Sequence, residues 1–99
     1  MVSGGGSQAL AWLLAVPGAT RTLLEAVVPQ GARIEGRSVH SLRLMYRHGV
    51  SLLGVSRHGK RITERVRYLE IHAGDILLLL GERDRLQDIV GWLGCLPLA

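Results

Sequence analysis

The stretch LEIHAGDILLLLGERDRL, residues 69–86, decides how the rest of the chain is read. At its centre Ile76 to Leu80 form an unbroken apolar run, with Gly74-Asp75 before it and Gly81 after. The run is too short for a helix of its own, and the flanking turn residues mark it as a strand. Successive side chains of a strand point to opposite faces, so this one presents hydrocarbon on both. Val50, Leu52, Leu53 and Val55 have the same two-sided character, so the demand for cover is not confined to one strand. Either helices lie on both faces of the sheet, or a second copy of the chain covers one of them.

Working outward, the other elements follow from punctuation and period. Downstream, Leu86, Ile89, Val90 and Leu93 recur at the spacing of a helix face. Asp84 and Gln87 have capping-box spacing at its start, Gly94 fits its stop, and Pro97 forbids continuation. Upstream, Lys60–Glu64 and Val50–Arg57 are read as the arms of a hairpin turning at His58-Gly59. Val66–Ile71 is left irregular. Ser38 is a plausible N-cap for a helix in which Val39, Leu42 and Met45 or Tyr46 recur until Gly49 stops it. Thr22–Val28, ending at Pro29, is the first strand. The order strand, helix, hairpin, strand, helix predicts an α+β domain with a mainly antiparallel four-stranded sheet and two helices.

Composition bounds what such a domain does. The chain has 99 residues, 47% of them hydrophobic. A chain of that length buries only about 60–65% of its unfolded surface. The excess of apolar residues therefore predicts a homodimer. Ala9–Val16 and Ile76–Leu80 fall well short of the roughly 20 residues that span a bilayer, and no positive charge precedes Ala9–Val16 as a signal peptide requires. MVSGGGS at the start reads as a flexible linker, and residues 1–20 as a flanking segment. The single Cys95 has no partner for an internal disulfide and no companions for a zinc site. His40, His48, His58 and His72 lack ligand spacing, so no metal and no cofactor are expected.

Charge is segregated along the chain. Arg37, Arg43, Arg47, Arg57, Lys60, Arg61, Arg65 and Arg67 crowd residues 36–67 against the single acid Glu64, whereas residues 68–99 are acidic. A basic middle suits an anionic small molecule, a nucleic acid, an anionic membrane surface or plain solvation. Nucleic acid is the rival class, but no helix-turn-helix, Cys/His finger or aromatic strand pair is legible. Gly4-Gly5-Gly6 lacks the strand and the Lys-Ser/Thr of a phosphate loop, and no nucleophile elbow surrounds Ser38, so no enzyme is expected.

GRSVHSLRLMYRHGVSLLGVSRHGKRI (36–62) and LEIHAGDILLLLGERDRLQDI (69–89) resemble a TrkA C-terminal domain, also called the C-terminal domain of regulators of potassium conductance. The matching features are Gly36 and Ser38 opening the helix, Gly49-Val50, a strand ending in Arg57 with Gly59, and Gly74-Asp75 with Gly81. The resemblance covers residues 23–93 and implies a dimeric regulatory module over 21–95, with 96–99 an exit segment. It also implies an anionic or nucleotide ligand, such as cyclic di-AMP, at the dimer interface. By that analogy Arg43, Arg47, Val50, Ser51, Leu52 and Arg57 are the candidate ligand-binding residues. Leu24–Val28 and Leu93–Ala99 further resemble the flanks of such domains in bacterial permeases similar to divalent-anion:sodium symporters. The expected partner is then a membrane transport domain of the same or an associated chain, with this domain on the cytoplasmic side of the inner membrane. A basic nucleic-acid-binding module and a purely structural dimerisation domain are the alternatives.

Overall fold

The apolar run forms β4 (Ile76–Glu82), the middle strand of a sheet ordered β3-β2-β4-β1-β5. Its companions are β1 (Arg21–Val27), β2 (Ser51–Arg57), β3 (Lys60–Ile62) and β5 (Leu96–Pro97), and every pairing is antiparallel. The computed structural model describes residues 21–98; the linker and flanking segment read at 1–20, including Trp12, lie outside the described residues.

The register resolves the two-sided character of β4. Leu24 and Ala26 of β1 pair with Leu79 and Leu77, and Leu52 and Val55 of β2 pair with the same two residues. Paired residues share a face. Leu77 and Leu79 are fully buried there, against Leu86, Ile89, Val90 and Leu93 of α3 (Arg83–Leu93) and against Val39 and Leu44. Val28, Ile34 and Ile71, from the connecting loops, complete this single core. Gly81 belongs to the same face: a Cβ there would sit 3.2 Å from Val50 Cγ2 and 3.4 Å from the Gly49 carbonyl. A bulge between Leu52 and Gly54 explains β2, because the extra residue turns Leu53 outward while Leu52 and Val55 both point in.

Among the described residues the helices therefore cover one face only. On the other, Leu23, Glu25 and Val27 pair with Leu80, Leu78 and Ile76. Leu23 is 58% and Leu96 57% exposed, and Ile76, Leu78 and Leu80 are half-buried only because their sheet neighbours flank them.

Three expectations are corrected. Among the described residues the sheet has five strands, not four: Ala26 and Val27 pair with Pro97 and Leu96, and the Leu98 N–H donates to the Glu25 carbonyl at 2.8 Å. Proline is admissible there because an edge strand leaves one side of its backbone unpaired. The helix after Ser38 is two short pieces, α1 (Val39–Leu42) and α2 (Leu44–His48), separated by Arg43 in the left-handed conformation at φ 54°. Nor does Asp84 cap α3. β4 runs straight on to Glu82, which takes the N-cap position without a side-chain hydrogen bond, and Asp84 falls inside the first turn. The hairpin turns as expected, with His58 and Gly59 both at positive φ, as a two-residue turn of the primed type requires.

Candidate functional site

Ser38 sets the first wall of a cavity. Its Oγ accepts from Ser41 N at 3.1 Å, and Ser41 Oγ accepts from Ser38 N at 3.3 Å. This reciprocal cap starts α1 although serine replaces the usual Glu or Gln. The reversal at Arg43 then swings α2 away, and Gly49, at φ 68°, turns the chain into β2. A cavity of about 620 Å³ opens between the two helical pieces and the start of β2. Its floor is apolar, made by buried Val39, Val50 and Leu52. Met45, 57% exposed, and Tyr46, 85% exposed, stand at its mouth, and Ser51 Oγ lies 3.6 Å from Met45 Sδ.

The rim is cationic. Arg43 lies on one side, and Arg67 reaches in from the 3-10 turn Val66–Tyr68. Arg67 stacks over the Tyr68 ring, 5.0 Å from its centroid, and Arg65 sits 5.6 Å from the same ring. Tyr68 in turn packs against His40, centroids 4.6 Å apart. Such contacts are worth ~0.5–1 kcal/mol at exposed sites, enough to bias the guanidinium towards the Tyr68 ring without fixing it. Among the described residues no carboxylate lines this cavity. Apolar floor, aromatic mouth and arginine rim together suit a molecule with flat or apolar parts and negative charge.

Of the residues chosen from sequence, Arg43, Val50, Ser51 and Leu52 come together here. Arg47 is exposed on α2 and does not line the cavity. Arg57 is engaged elsewhere. Its Nε donates to Asp75 Oδ1 at 2.9 Å and its Nη2 to Asp75 Oδ2 at 2.7 Å and to the Glu70 carbonyl at 2.8 Å. The His72 N–H also donates to Asp75 Oδ2, at 2.8 Å. Burial pushes the Asp75 carboxyl up, but the hydrogen bonds from Arg57 and His72, together with their charges, outweigh it and hold the group below its ordinary value. Hydrogen bonding to Asp75, opposed by desolvation, leaves the Arg57 guanidinium above its own. The pair clamps the end of β2 to the turn that launches β4.

His40, Ser41, Met45, Tyr46 and Arg67 also line the cavity and were not singled out from sequence. Arg67 gave no local signal, because only the tertiary fold brings its turn beside α1. Among the described residues no cluster of three or more His, Cys, Asp or Glu could hold a metal ion.

A small antiparallel α+β domain with a surface cavity between two short helices and β2 is the class that this geometry defines. The TrkA-C domain family model matches residues 23–94, and the chain belongs to that family. Solved structures share the fold. The RCK_C domain dimer of S. agalactiae BusR in complex with c-di-AMP superposes with a TM-score of 0.60 at 17% identity, over 77% of this chain and 95% of that one. The RCK C domain of the potassium transport protein KtrA, in complex with cyclic diadenosine monophosphate, gives 0.59 at 19%, over 86% and 95%. S. agalactiae BusR in complex with its busA-promotor DNA gives 0.64 at 17%; 90% of this chain is covered but only 47% of that one.

Proposed function

We propose that this chain is a non-enzymatic, ligand-sensing and dimerising domain that regulates a bacterial ion or anion transporter. The α1–α2–β2 cavity is its sensor site. The observation that carries the reading is the pairing of that cavity's apolar floor with the Arg43 and Arg67 rim. Two structures of the same fold are described as complexes with a cyclic dinucleotide, which offers flat bases and two phosphates. Ligand held in the cavity would favour one arrangement of two copies, and an attached or associated membrane domain would feel the difference. No helix among the described residues is long and apolar enough to cross a membrane. A transport domain would therefore lie elsewhere in the same protein or in an associated chain, with this domain on the cytoplasmic side.

The DNA-bound BusR structure keeps nucleic acid as a second reading, although this chain spans under half of that protein. Calorimetric titration of the chain with cyclic di-AMP separates the two. Saturable binding that Arg67→Gln weakens about 10- to 100-fold, the worth of a charge-assisted contact, supports the sensor. Absence of binding, or binding to any polyanion with a steep salt dependence, overturns it.

A further inference from the structure

On the helix-free face of the sheet a groove opens over a glycine that the fold does not require. Gly54 follows the bulge of β2 and pairs with Leu78 of β4. Its backbone lies outside the left-handed region, and a Cβ there would meet only ordinary contacts, 3.4 Å from Thr63 Cγ2 and 3.5 Å from the Ile62 carbonyl oxygen. Neither conformation nor packing therefore calls for glycine, which weakens a strand interior and suits a place where a ligand approaches the backbone. The missing side chain leaves a groove of about 260 Å³ walled by Leu53, Ile76 and Leu78. Glu25 of β1 and Arg61 of β3 line it from opposite sides. Both point to this face, because Glu25 pairs with Leu78, and Arg61 with Ser56, which pairs with Ile76. Among the described residues neither takes part in an ion pair, with the other or with a third group.

We propose that this groove binds a small zwitterion with an apolar body, of the chemistry of an apolar α-amino acid. Glu25 takes the ammonium, Arg61 takes the carboxylate, and the apolar part lies over Gly54 against Leu53 and Leu78. The spacing suits a bridging ligand. In the order β3-β2-β4-β1 three strand spacings separate the two charges, and Arg61 is level with Ile76 whereas Glu25 is level with Leu78. Spacings of about 4.8 Å and an offset of about 7 Å put the Cα atoms roughly 16 Å apart. Side chains leaning inward shorten that span without closing it, and the two charged groups of one amino acid, with a hydrogen bond at each end, fill the remainder. The charges select this occupant. Glu25 repels an anion and Arg61 a cation, and an uncharged apolar molecule strips water from both without returning a hydrogen bond. A zwitterion answers both, and the planar guanidinium matches a carboxylate with two donors. Size agrees: about 260 Å³ admits a molecule of amino-acid bulk, while the larger cavity of about 620 Å³ lies across the strand. Leu52 lines that cavity and Leu53 this groove, so β2 carries a candidate site on each face.

Calorimetric titration of the full chain with L-leucine tests the site, beside two analogues that each lack one charge: leucinamide, without the carboxylate, and isocaproate, without the ammonium. Saturable binding of leucine is expected, at least about tenfold tighter than that of either analogue, because each analogue loses a charge-assisted contact. Glu25→Gln and Arg61→Gln should each weaken leucine about 10- to 100-fold for the same reason. Gly54→Val, which fills the groove, should abolish binding, with circular dichroism verifying the fold. The Glu25 and Arg61 variants, at positions that are not buried, carry the test should Gly54→Val fail to fold. Leucine that does not bind saturably, analogues that bind as well as leucine, or Glu25→Gln and Arg61→Gln chains that bind like the parent overturn the site. None of these results bears on the cyclic di-AMP titration, because the cavity and the groove share no lining residue.

Discussion

Replacing Arg57 by methionine should cost about 3 kcal/mol at neutral pH and should invert the acid response of the fold. Asp75 is 1% exposed and takes two hydrogen bonds from Arg57 and one from the His72 N–H. Arg57→Met leaves a buried carboxylate with one donor. Breaking a buried pair costs about 3–5 kcal/mol, and we take the lower end because the Arg57 side chain is 21% exposed and its loss admits water. For a domain of this size each kcal/mol moves Tm by about 4–8 °C, so the expected fall is about 12–24 °C. The pH dependence carries more information. In the native protein the Asp75 carboxyl is depressed below its unfolded value of about 3.9. Its contribution is therefore full above pH ~4 and is lost as pH falls through the depressed folded value. Without Arg57 the burial that opposes ionisation dominates and the folded value rises above the unfolded one. The sign reverses: the variant is most stable below pH ~4 and loses stability as pH rises through the raised value. Thermal unfolding from pH 3 to 8, read as the difference between variant and parent, cancels the groups common to both. Asp75→Asn, with no carboxylate, should show neither trend. A loss under about 1 kcal/mol at pH 7, or an Arg57→Met profile parallel to the parent's, would refute the clamp.

Other consequences are checked by simpler means. Gly94→Ala should destabilise by about 1–3 kcal/mol in urea unfolding, because φ is +81° and a Cβ would sit 3.1 Å from both Ala32 Cα and Arg33 N. Leu77→Ala, at a fully buried position in the central strand, should cost about 2–5 kcal/mol by the same assay. Arg43→Gly should leave the fold as stable or up to about 1 kcal/mol more so, since it relieves a left-handed residue, yet weaken ligand binding; stability and calorimetry on one variant separate the two. Cys95, buried with its thiol pushed up to about 11, should resist alkylation at pH 8 until the protein is unfolded by denaturant.

The elements with local punctuation were legible in the sequence. Ser38, Gly49 and Gly94 act at their own helix ends, and His58-Gly59 is a turn by its own backbone preference. What escaped depended on distance or on context. Arg43 adopts a conformation that arginine rarely takes, at the junction between α1 and α2, and no neighbouring residue advertises it. Leu96–Pro97 looked like chain leaving the domain because proline ends helices, but the open edge of β1 accepts it. Asp84 had the spacing of a capping box, and β4 overran the position where the cap would have formed. The two-sided run Ile76–Leu80 was read correctly as a strand, and among the described residues only one of its two apolar faces is covered by helices. The candidate site divided in the same way. Arg43, Val50, Ser51 and Leu52 are close in sequence, joined through the one-turn helix α2 and Gly49. Arg67 entered from an irregular segment, and Arg57 was drawn off by a carboxylate eighteen positions away.

The sensor role proposed for the α1–α2–β2 cavity is tested most directly by amide chemical-shift mapping of the full chain during titration with cyclic di-AMP. Saturable shifts confined to Ser41, Arg43, Met45, Ser51 and Arg67 are predicted. Shifts centred on the Arg57–Lys60 hairpin, shifts spread over all basic residues and erased by salt, or none at all would contradict the account.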